Sequence, residues 1–149
     1  MENKMSIAEL TLRSEEIRKR LLEVVYKAKA GHIGGDLSSL NVLTALYLRI
    51  MNVDPANPKM EGRDRFVMSK GHCVEALYCV LGAKGFIKRE LVDTYGDYLS
   101  PLAGHPTVEV PGIEFNSGAL GHGLSIGVGC ALAAKMDGKS YKTYVLMGD

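Results

Sequence analysis

Apolar residues recur at every third or fourth position along the first part of the chain. They span residues 7–28, and the polar Ser14 is the one interruption. Ser6 and Glu9 open this stretch as an S-x-x-E capping box, and Gly31 follows it as a stop signal. The pattern therefore predicts a first amphipathic helix that begins near residue 7 and ends before Gly31.

The rest of the chain alternates between helical patterns and two short apolar runs. The further helices are predicted from Asp36 or Ser38 to Met51, and over residues 73–84, 88–95 and 120–136, the last as a buried helix. The apolar runs predict strands at 65–68 and 141–147. Prolines mark loops at 52–64 and 96–118, and we expect a little strand at 108–115 within the second loop.

Helices that alternate with buried strands are typical of an α/β architecture with a parallel sheet. We therefore predict an α/β fold in which helices flank a parallel sheet. A parallel strand needs neighbours on both sides, and the sequence stops directly after its second predicted strand. We expect residues 1–149 to be a single, incomplete piece from the amino-terminal part of a larger domain. A complete small domain is the alternative.

Composition limits the class of protein. Of the 149 residues 46% are apolar and 23% charged, and 18 basic against 17 acidic residues give a formal net charge of +1. That balance provides no field for binding nucleic acid or an anionic membrane, and no apolar run is long enough to cross a bilayer. Three cysteines without a zinc-type spacing or a signal-peptide pattern favour a reducing compartment. We expect a cytoplasmic protein that binds neither nucleic acid nor a membrane.

All four histidines directly follow a glycine. Glycine lets the backbone turn sharply and histidine titrates near neutral pH, so four such pairs predict the rim of one polar site built from loops. For any single pair, the alternative is a helix cap or a histidine satisfied in the core. Metal binding by the set is disfavoured, because no two histidines have the i, i+4 spacing of helical zinc sites. The pairs are Gly31–His32, Gly71–His72, Gly104–His105 and Gly121–His122.

A glycine-rich turn at residues 116–123 precedes the last predicted helix. Such a turn presents free backbone N–H groups to a phosphate or another polar ligand. It is not a phosphate loop of the G-K-[ST] type, and it follows no clear strand as a dinucleotide-binding turn would. Close packing of the helix is the alternative explanation for its glycines.

Asp149 directly follows the second predicted strand. Ligands of α/β sheets gather beyond the carboxyl ends of the strands, and a carboxylate there can hold Mg²⁺ together with a phosphate. Asp149 is therefore a candidate metal ligand. A helix cap or simply the chain end is the alternative.

Five short motifs follow one another along the chain: Gly31–His32–Ile33–Gly34–Gly35, Ser69–Lys70–Gly71–His72, Gly104–His105–Pro106, Ser117–Gly118–Ala119–Leu120–Gly121 and Leu146–Met147–Gly148–Asp149. They occur in this order in transketolases, so the chain resembles that family over nearly its whole length. The short first segment and the run Gly-His-Ile-Gly-Gly-Asp are most similar to the amino-terminal subunit of split, two-gene transketolases. In that type, a separate carboxy-terminal subunit supplies the pyrimidine-binding half.

The resemblance implies a thiamine diphosphate-binding fold and a particular enzyme activity. The enzyme would transfer a two-carbon ketol unit between sugar phosphates, with thiamine diphosphate and Mg²⁺ as cofactors. On the family pattern, Asp149 binds Mg²⁺ and His72 hydrogen-bonds to the diphosphate. The backbone at Gly118, Ala119 and Leu120 lines the cofactor.

By the same resemblance, His32 and His105 face the donor sugar near its reacting carbons. His32 is the candidate for proton transfer, which needs a base with a pKa near the working pH. His105 is the candidate for binding the C1 hydroxyl. Ile33 and His122 depart from the pattern, since many relatives have proline and glutamine there, and the role of His122 stays open.

The family pattern also includes groups that this sequence does not contain. An asparagine beyond the Gly-Asp motif completes the Mg²⁺ site, and the cofactor is activated by a glutamate of the carboxy-terminal half. We therefore expect this chain alone to bind Mg²⁺–thiamine diphosphate poorly and to be inactive. We expect it to act in an oligomer with the carboxy-terminal subunit.

Two alternatives to this activity stay open. One is a related ketol transferase, or an enzyme like deoxyxylulose-phosphate synthase, with another substrate such as a sulfonated or branched sugar. The other is a non-catalytic module that only binds a partner half.

Overall fold

Five helices and two strands follow one another in the computed structural model, which describes residues 5–148. In chain order the elements are α1 (Ile7–Ala28), α2 (Ile33–Ala45), β1 (Arg65–Met68), α3 (Val74–Lys84), α4 (Arg89–Val92), α5 (His122–Met136) and β2 (Thr143–Leu146). A wider, π-helical turn at Leu46–Ile50 extends α2, and a single 3₁₀ turn at Gly71–Cys73 leads into α3.

The first helix begins where its capping box predicts. The Glu9 backbone N–H donates to Ser6 Oγ at 3.2 Å, and the Glu9 carboxylate accepts from the Ser6 N–H at 2.7 Å. The helix ends at Ala28, and its C-cap Lys29, with a left-handed φ of +51°, lies two residues before the glycine that we predicted as the stop. Gly31 instead has a φ of +124° in the connection to α2.

The second helix begins earlier than the apolar pattern predicts. It starts at Ile33 with His32 as its N-cap, whereas the first apolar stripe position is Leu40. Glycines in its first turn hid this start, because they contribute no apolar side chain. Gly35 has a packing reason, since a Cβ atom there would collide with the Cys73 sulfur.

The two strands form a parallel pair, which confirms the predicted α/β fold with helices around a parallel sheet. The register runs from Arg65 opposite Thr143 to Met68 opposite Leu146. The Ser69 N–H donates to the Leu146 carbonyl at 2.8 Å, so the two strands end at the same edge. The segments that follow β1 and β2 therefore start side by side.

The core is built around α3. Its residues 74–81 are all buried, as expected for a helix that is apolar on every side. Helices α1 and α2 pack against it, and Phe66 and Met68 of β1 complete the same cluster. This packing fixes the turn at Gly71–Cys73, which joins the sheet edge to the most buried helix.

The prediction that the last helix is buried is wrong. On α5, the buried residues are Gly123, Gly127 and Ala134. A Cβ atom at Gly123 would collide with Ser69 and one at Gly127 with Val145, so the small side chains form the face that lies on the sheet. The larger apolar residues point away, and Leu124, Val128, Leu132 and Met136 are between 49% and 85% exposed. An apolar composition does not indicate which face of a helix is covered.

The strand predicted at 108–115 does not form. This part of the long loop is a series of turns, in which the Val110 N–H donates to Thr107 O and the Ile113 N–H to Val110 O, both at 3.1 Å. Local turns satisfy the backbone groups that a strand would have to pair. The fourth helix is also shorter than the predicted 88–95.

No helix within residues 5–148 is long and apolar enough to cross a membrane.

Candidate active site

A cleft of about 600 Å³ opens at the edge where the two strands end. It lies between the first turn of α2, the segment after β1 and the start of α5. Its wall combines apolar surface, including that of Leu120 and Met147, with the polar side chains of Ser38, Ser69, Lys70 and His72. Its lining includes Gly35, Ser38, Ser69, Lys70, His72 and Gly121, with Met147 and Gly148 of the segment after β2.

Two of the predicted histidines meet at this cleft. The ring centroids of His32 and His72 are 4.9 Å apart, and the rings are arranged edge to face. Burial lowers the pKa of the His72 imidazole, and the nearby His32, Lys70 and His105 lower it further. A lowered pKa keeps His72 neutral at pH 7, with one ring nitrogen free to accept and one N–H to donate.

The long loop brings His105 to the same place. A Cβ atom at Gly118 would lie 3.3 Å from Cδ2 of the His105 ring, so the glycine lets the two segments approach closely. The Ser117 N–H donates to the Pro106 carbonyl at 3.2 Å and fixes this contact. The Tyr78 hydroxyl, which lies on the buried α3, is within 2.8 Å of Ala103 O and 3.3 Å of His105 O. The loop is thus anchored to the core beside its histidine.

The remaining predicted site residues lie at the start of α5 or beyond the described part of the chain. Leu120 lines the cleft and is 68% exposed. The Ala119 carbonyl accepts from the His122 N–H at 3.3 Å, and His122 is an exposed residue in the first turn of the helix. Asp149, the predicted Mg²⁺ ligand, lies outside the described residues, next to Gly148 of the cleft wall.

The amino terminus of α5 is held against the sheet edge. Gly121, its N-cap, has a φ of +89°, and a Cβ atom there would meet nothing within 4 Å. The Gly123 N–H donates to Ser69 Oγ at 3.2 Å. The first N–H groups of a helix carry a partial positive charge and favour an anion.

Lys70 is a cleft residue to which we gave no role from the sequence. Its ammonium group donates to Ser38 Oγ at 2.9 Å and to the Gly35 carbonyl at 3.3 Å. It is the one lysine in the cleft lining described above, and it directly follows Ser69 at the end of β1. A lysine within a Ser-Lys-Gly-His motif after a strand was the signal that could have identified it.

Two buried acids behind the histidines were also missed. Asp36 of α2 and Glu75 of α3 are 0% and 1% exposed. Burial, and next the Glu75 carboxyl, raise the pKa of Asp36 to about 7. The sequence carried a signal here too, because each acid interrupts an apolar stretch three or four residues after a histidine.

The described residues contain no group of three histidine, cysteine or acidic side chains arranged to hold a metal ion. The polar character of the cleft comes instead from imidazole rings, one lysine and backbone N–H groups. That set suits an anionic, phosphate-like ligand rather than a metal bound by protein side chains alone.

Comparison with known proteins gives a consistent picture. The family described as "Transketolase, thiamine diphosphate binding domain" matches residues 11–149. An apulose-4-phosphate transketolase subunit from Phocaeicola vulgatus is 72% identical over 145 residues, which are 97% of this chain and 52% of that protein. The 6-deoxy-6-sulfo-D-fructose transketolase subunit SqwG of a Clostridium species is 45% identical over 134 residues, which are 89% of this chain and 49% of that protein.

Solved structures agree. A crystal structure of transketolase from Campylobacter jejuni superposes with a TM-score of 0.90 at 32% identity, and the match covers 97% of this chain and 24% of that one. The chain thus spans about half the length of the two related subunits, and about a quarter of the one-chain enzyme.

Proposed function

The chain belongs to the transketolase family through its thiamine diphosphate-binding domain, and on that premise we propose that it is part of an enzyme that transfers a two-carbon ketol unit between sugar phosphates. The observation that carries the proposal is a cleft beyond the ends of two parallel strands, which is lined by Lys70 and His72 and has His32 and His105 near His72. Ligands of α/β sheets gather at this edge.

The cleft fits the diphosphate of the cofactor. Lys70 provides a positive charge, neutral His72 provides a donor, and the N–H groups at the start of α5 provide a partial positive charge. Gly121 has no side chain, so the space beside it in the cleft stays open. We propose that Asp149, beside Gly148 in the sequence, would hold the Mg²⁺ ion that accompanies the cofactor.

The chain's own residues bind and orient the cofactor and move protons around the substrate. Thiamine diphosphate, when bound, supplies the carbanion chemistry. Gly118, Ala119 and Leu120 contact the cofactor mainly through their backbone. His32 accepts or returns a hydroxyl proton of the sugar, and His105 binds the C1 hydroxyl, since both rings are exposed beside the cleft.

We propose apulose 4-phosphate as the first substrate to test. The 72% identical relative is named for this sugar, whereas the relative named for 6-deoxy-6-sulfo-D-fructose is 45% identical. Both relatives are named as subunits, so we propose that a carboxy-terminal transketolase subunit completes the enzyme as an oligomer. This chain alone is predicted to bind the cofactor poorly and to turn over nothing.

The decisive experiment uses the full-length gene product, assembled with its partner subunit. Purified enzyme with Mg²⁺ and thiamine diphosphate is incubated with apulose 4-phosphate and an aldose phosphate acceptor, and the products are identified by mass spectrometry. We expect products that differ from the reactants by a two-carbon unit, and loss of this transfer in His32→Ala and His105→Ala.

Two control sugars separate the alternatives. Faster transfer from fructose 6-phosphate or from 6-deoxy-6-sulfo-D-fructose would assign another substrate to the same chemistry. Absence of transfer from all three sugars, by an assembly that binds the cofactor, would reject the ketol transferase proposal in favour of a module that only binds a partner.

A further inference from the structure

A buried pair of acids lies beneath the loops that carry two of the histidines. The Ala76 N–H donates to Asp36 Oδ1 at 3.0 Å, and the Tyr95 hydroxyl donates to Glu75 Oε1. Each carboxyl group thus has one oxygen that accepts a hydrogen bond. The second oxygens, Asp36 Oδ2 and Glu75 Oε2, are buried without a donor from any other described group.

One proton held between the two carboxyl groups satisfies both of these oxygens. The side chains of Asp36 and Glu75 are within hydrogen-bonding reach of each other, and burial and this neighbour raise the pKa of Asp36 to about 7. Two ionised carboxylates buried side by side repel, whereas an acid and a carboxylate that share a proton form a strong hydrogen bond. A proton on Asp36 is therefore shared with the neighbouring Glu75 carboxyl group.

Other titratable groups act on this pair from each element around it. Lys70, which lies in the segment after β1, lowers the pKa of Asp36. Glu75 raises the pKa of His72, which lies in the 3₁₀ turn before α3. From α1, the apolar Val25 lies near Gly31, and the charged Arg20 and Glu23 act on Cys79. Asp36 and Glu75 both act on Cys73, Cys79 and Tyr95, and Glu75 also acts on Tyr78.

Glu75 lies against the residue in front of His32, and its hydrogen-bond partner Tyr95 lies near the residue in front of His105. A Cβ atom at Gly31 would lie 2.9 Å from Glu75 Oε1, so the backbone just before His32 rests on this carboxyl group. A Cβ atom at Gly104 would lie 4.0 Å from the Tyr95 hydroxyl, which donates to the same oxygen of Glu75. Glu75 therefore lies against the first glycine–histidine loop directly, and it is linked to the surroundings of the second through the Tyr95 hydroxyl.

We propose that Asp36 and Glu75 are positioning residues, which share one proton and thereby hold the loops of His32 and His105 at the spacing that ketol transfer needs. The link to ketol transfer rests on the proposed function. The shared proton and the contacts with Gly31 and Tyr95 are properties of this chain and can be tested without catalysis. When the pair loses its proton, repulsion displaces Glu75 and both loops with it.

Nuclear magnetic resonance of the full-length gene product with its partner subunit, with ¹³C-labelled carboxyl groups and ¹⁵N-labelled amides, tests the shared proton. We expect the Asp36 carboxyl to titrate near pH 7, and the amide signals of Gly31 and Gly104 to shift with the same midpoint. An Asp36 carboxyl that titrates near the ordinary value of about 3.9 would overturn the proposal. Glycine amides that do not follow the Asp36 midpoint would do so as well.

Amide substitutions provide the matched variants. In Asp36→Asn or Glu75→Gln, one side-chain N–H replaces the shared proton, while the oxygens that accept from Ala76 and Tyr95 remain. We expect both single variants to keep the Gly31 and Gly104 signals at their low-pH positions up to alkaline pH. In the double variant two NH₂ groups face each other and neither finds an acceptor. We therefore expect the Gly31 and Gly104 signals to be displaced at every pH. Single variants that titrate like the unsubstituted chain would contradict the shared proton.

The kinetic arm uses the full-length gene product with its partner subunit. We expect kcat of the unsubstituted enzyme to fall above pH 7, and this fall to be absent in Asp36→Asn and Glu75→Gln, because the amide variants have no shared proton to lose. Glu90→Gln, an exposed acid on α4, is the control and keeps the original profile. Identical profiles in all variants would reject the positioning role. An enzyme with no ketol transfer at all would reject the proposed function, while the resonance experiment still decides the shared proton.

Discussion

His32 and His72 lie edge to face at 4.9 Å, although one is the N-cap of α2 and the other lies in the turn after β1. Burial lowers the pKa of the His72 ring, and the nearby His32 ring lowers it further. The arrangement keeps the His72 ring neutral at the pH where an enzyme of this type works. It thereby couples the proposed proton-transfer residue to the proposed diphosphate ligand.

Replacement of His32 by glutamine is expected to raise the pKa of His72 toward its ordinary value, because one of the nearby positive charges is removed. Ring titrations followed by ¹H–¹³C spectroscopy measure this pKa directly. His122→Gln is the control, since His122 is not among the groups that lower the pKa of His72. An unchanged His72 midpoint in His32→Gln would show that His32 does not contribute to the lowered pKa of His72.

The lowered pKa of His72 also predicts the direction in which the stability of the fold changes with pH. The unfolded chain binds the His72 proton with a pKa near 6.5, above the value in the folded chain. As the pH falls, the unfolded chain binds the His72 proton more readily than the folded chain does. The stability that neutral His72 contributes above about pH 6.5 is therefore lost at lower pH. We expect urea midpoints that fall from pH 7 to pH 5 less steeply in His72→Gln. Parallel curves would contradict this account.

Lys70 is expected to be important for cofactor affinity. Lys70→Met removes the charge in the cleft, and a charge-assisted hydrogen bond of about 1.5–3 kcal/mol corresponds to roughly ten- to hundredfold weaker binding of thiamine diphosphate. Calorimetry on the assembled enzyme with Mg²⁺ measures this loss. Lys88→Met, at an exposed position before α4, is the matched control. Equal affinities of the two variants would place the diphosphate elsewhere.

Local patterns were enough to predict much of the fold. The capping box at Ser6 and Glu9, both strands and the buried α3 segment depend on neighbours in the sequence, and the structure has them where the patterns predict. The exposed outer face of α5 could not be predicted in this way. Which side of an apolar helix is covered depends on the rest of the fold, here on Gly123 and Gly127 against the sheet.

The histidines could be proposed as one site because each follows a glycine, a pattern that can be read locally. The pairing of Asp36 with Glu75 could not be predicted, because it depends on how α2 packs against α3. An isolated acid in an apolar helix gives no indication of its partner. Lys70 was missed for a related reason, since its contacts with Ser38 and Gly35 are also long-range.

Asp64 is predicted to stabilise the junction between the loop after α2 and the start of β2. Its buried carboxylate accepts from the Lys142 N–H at 2.7 Å and from the Asn52 N–H at 2.9 Å. Asp64→Asn turns one acceptor into a donor that faces an N–H, and we expect a loss of about 2–3 kcal/mol in urea unfolding. Asp54→Asn, in an exposed turn where Asp54 accepts from the Ala56 N–H, should cost about 1 kcal/mol or less. Equal losses would contradict the role of burial.

Two glycines of α5 provide a matched test of its packing. A Cβ atom at Gly127 would collide with the Val145 side chain of β2, whereas one at Gly129 would meet nothing within 4 Å. Alanine favours a helix over glycine by about 1 kcal/mol, so Gly129→Ala should stabilise the chain by up to that amount. Gly127→Ala gains the same propensity but forces the helix off the sheet, and overpacking of this kind costs about 1–3 kcal/mol. We therefore expect urea unfolding to move in opposite directions, and stabilisation by both substitutions would show that α5 does not rest on β2 through Gly127.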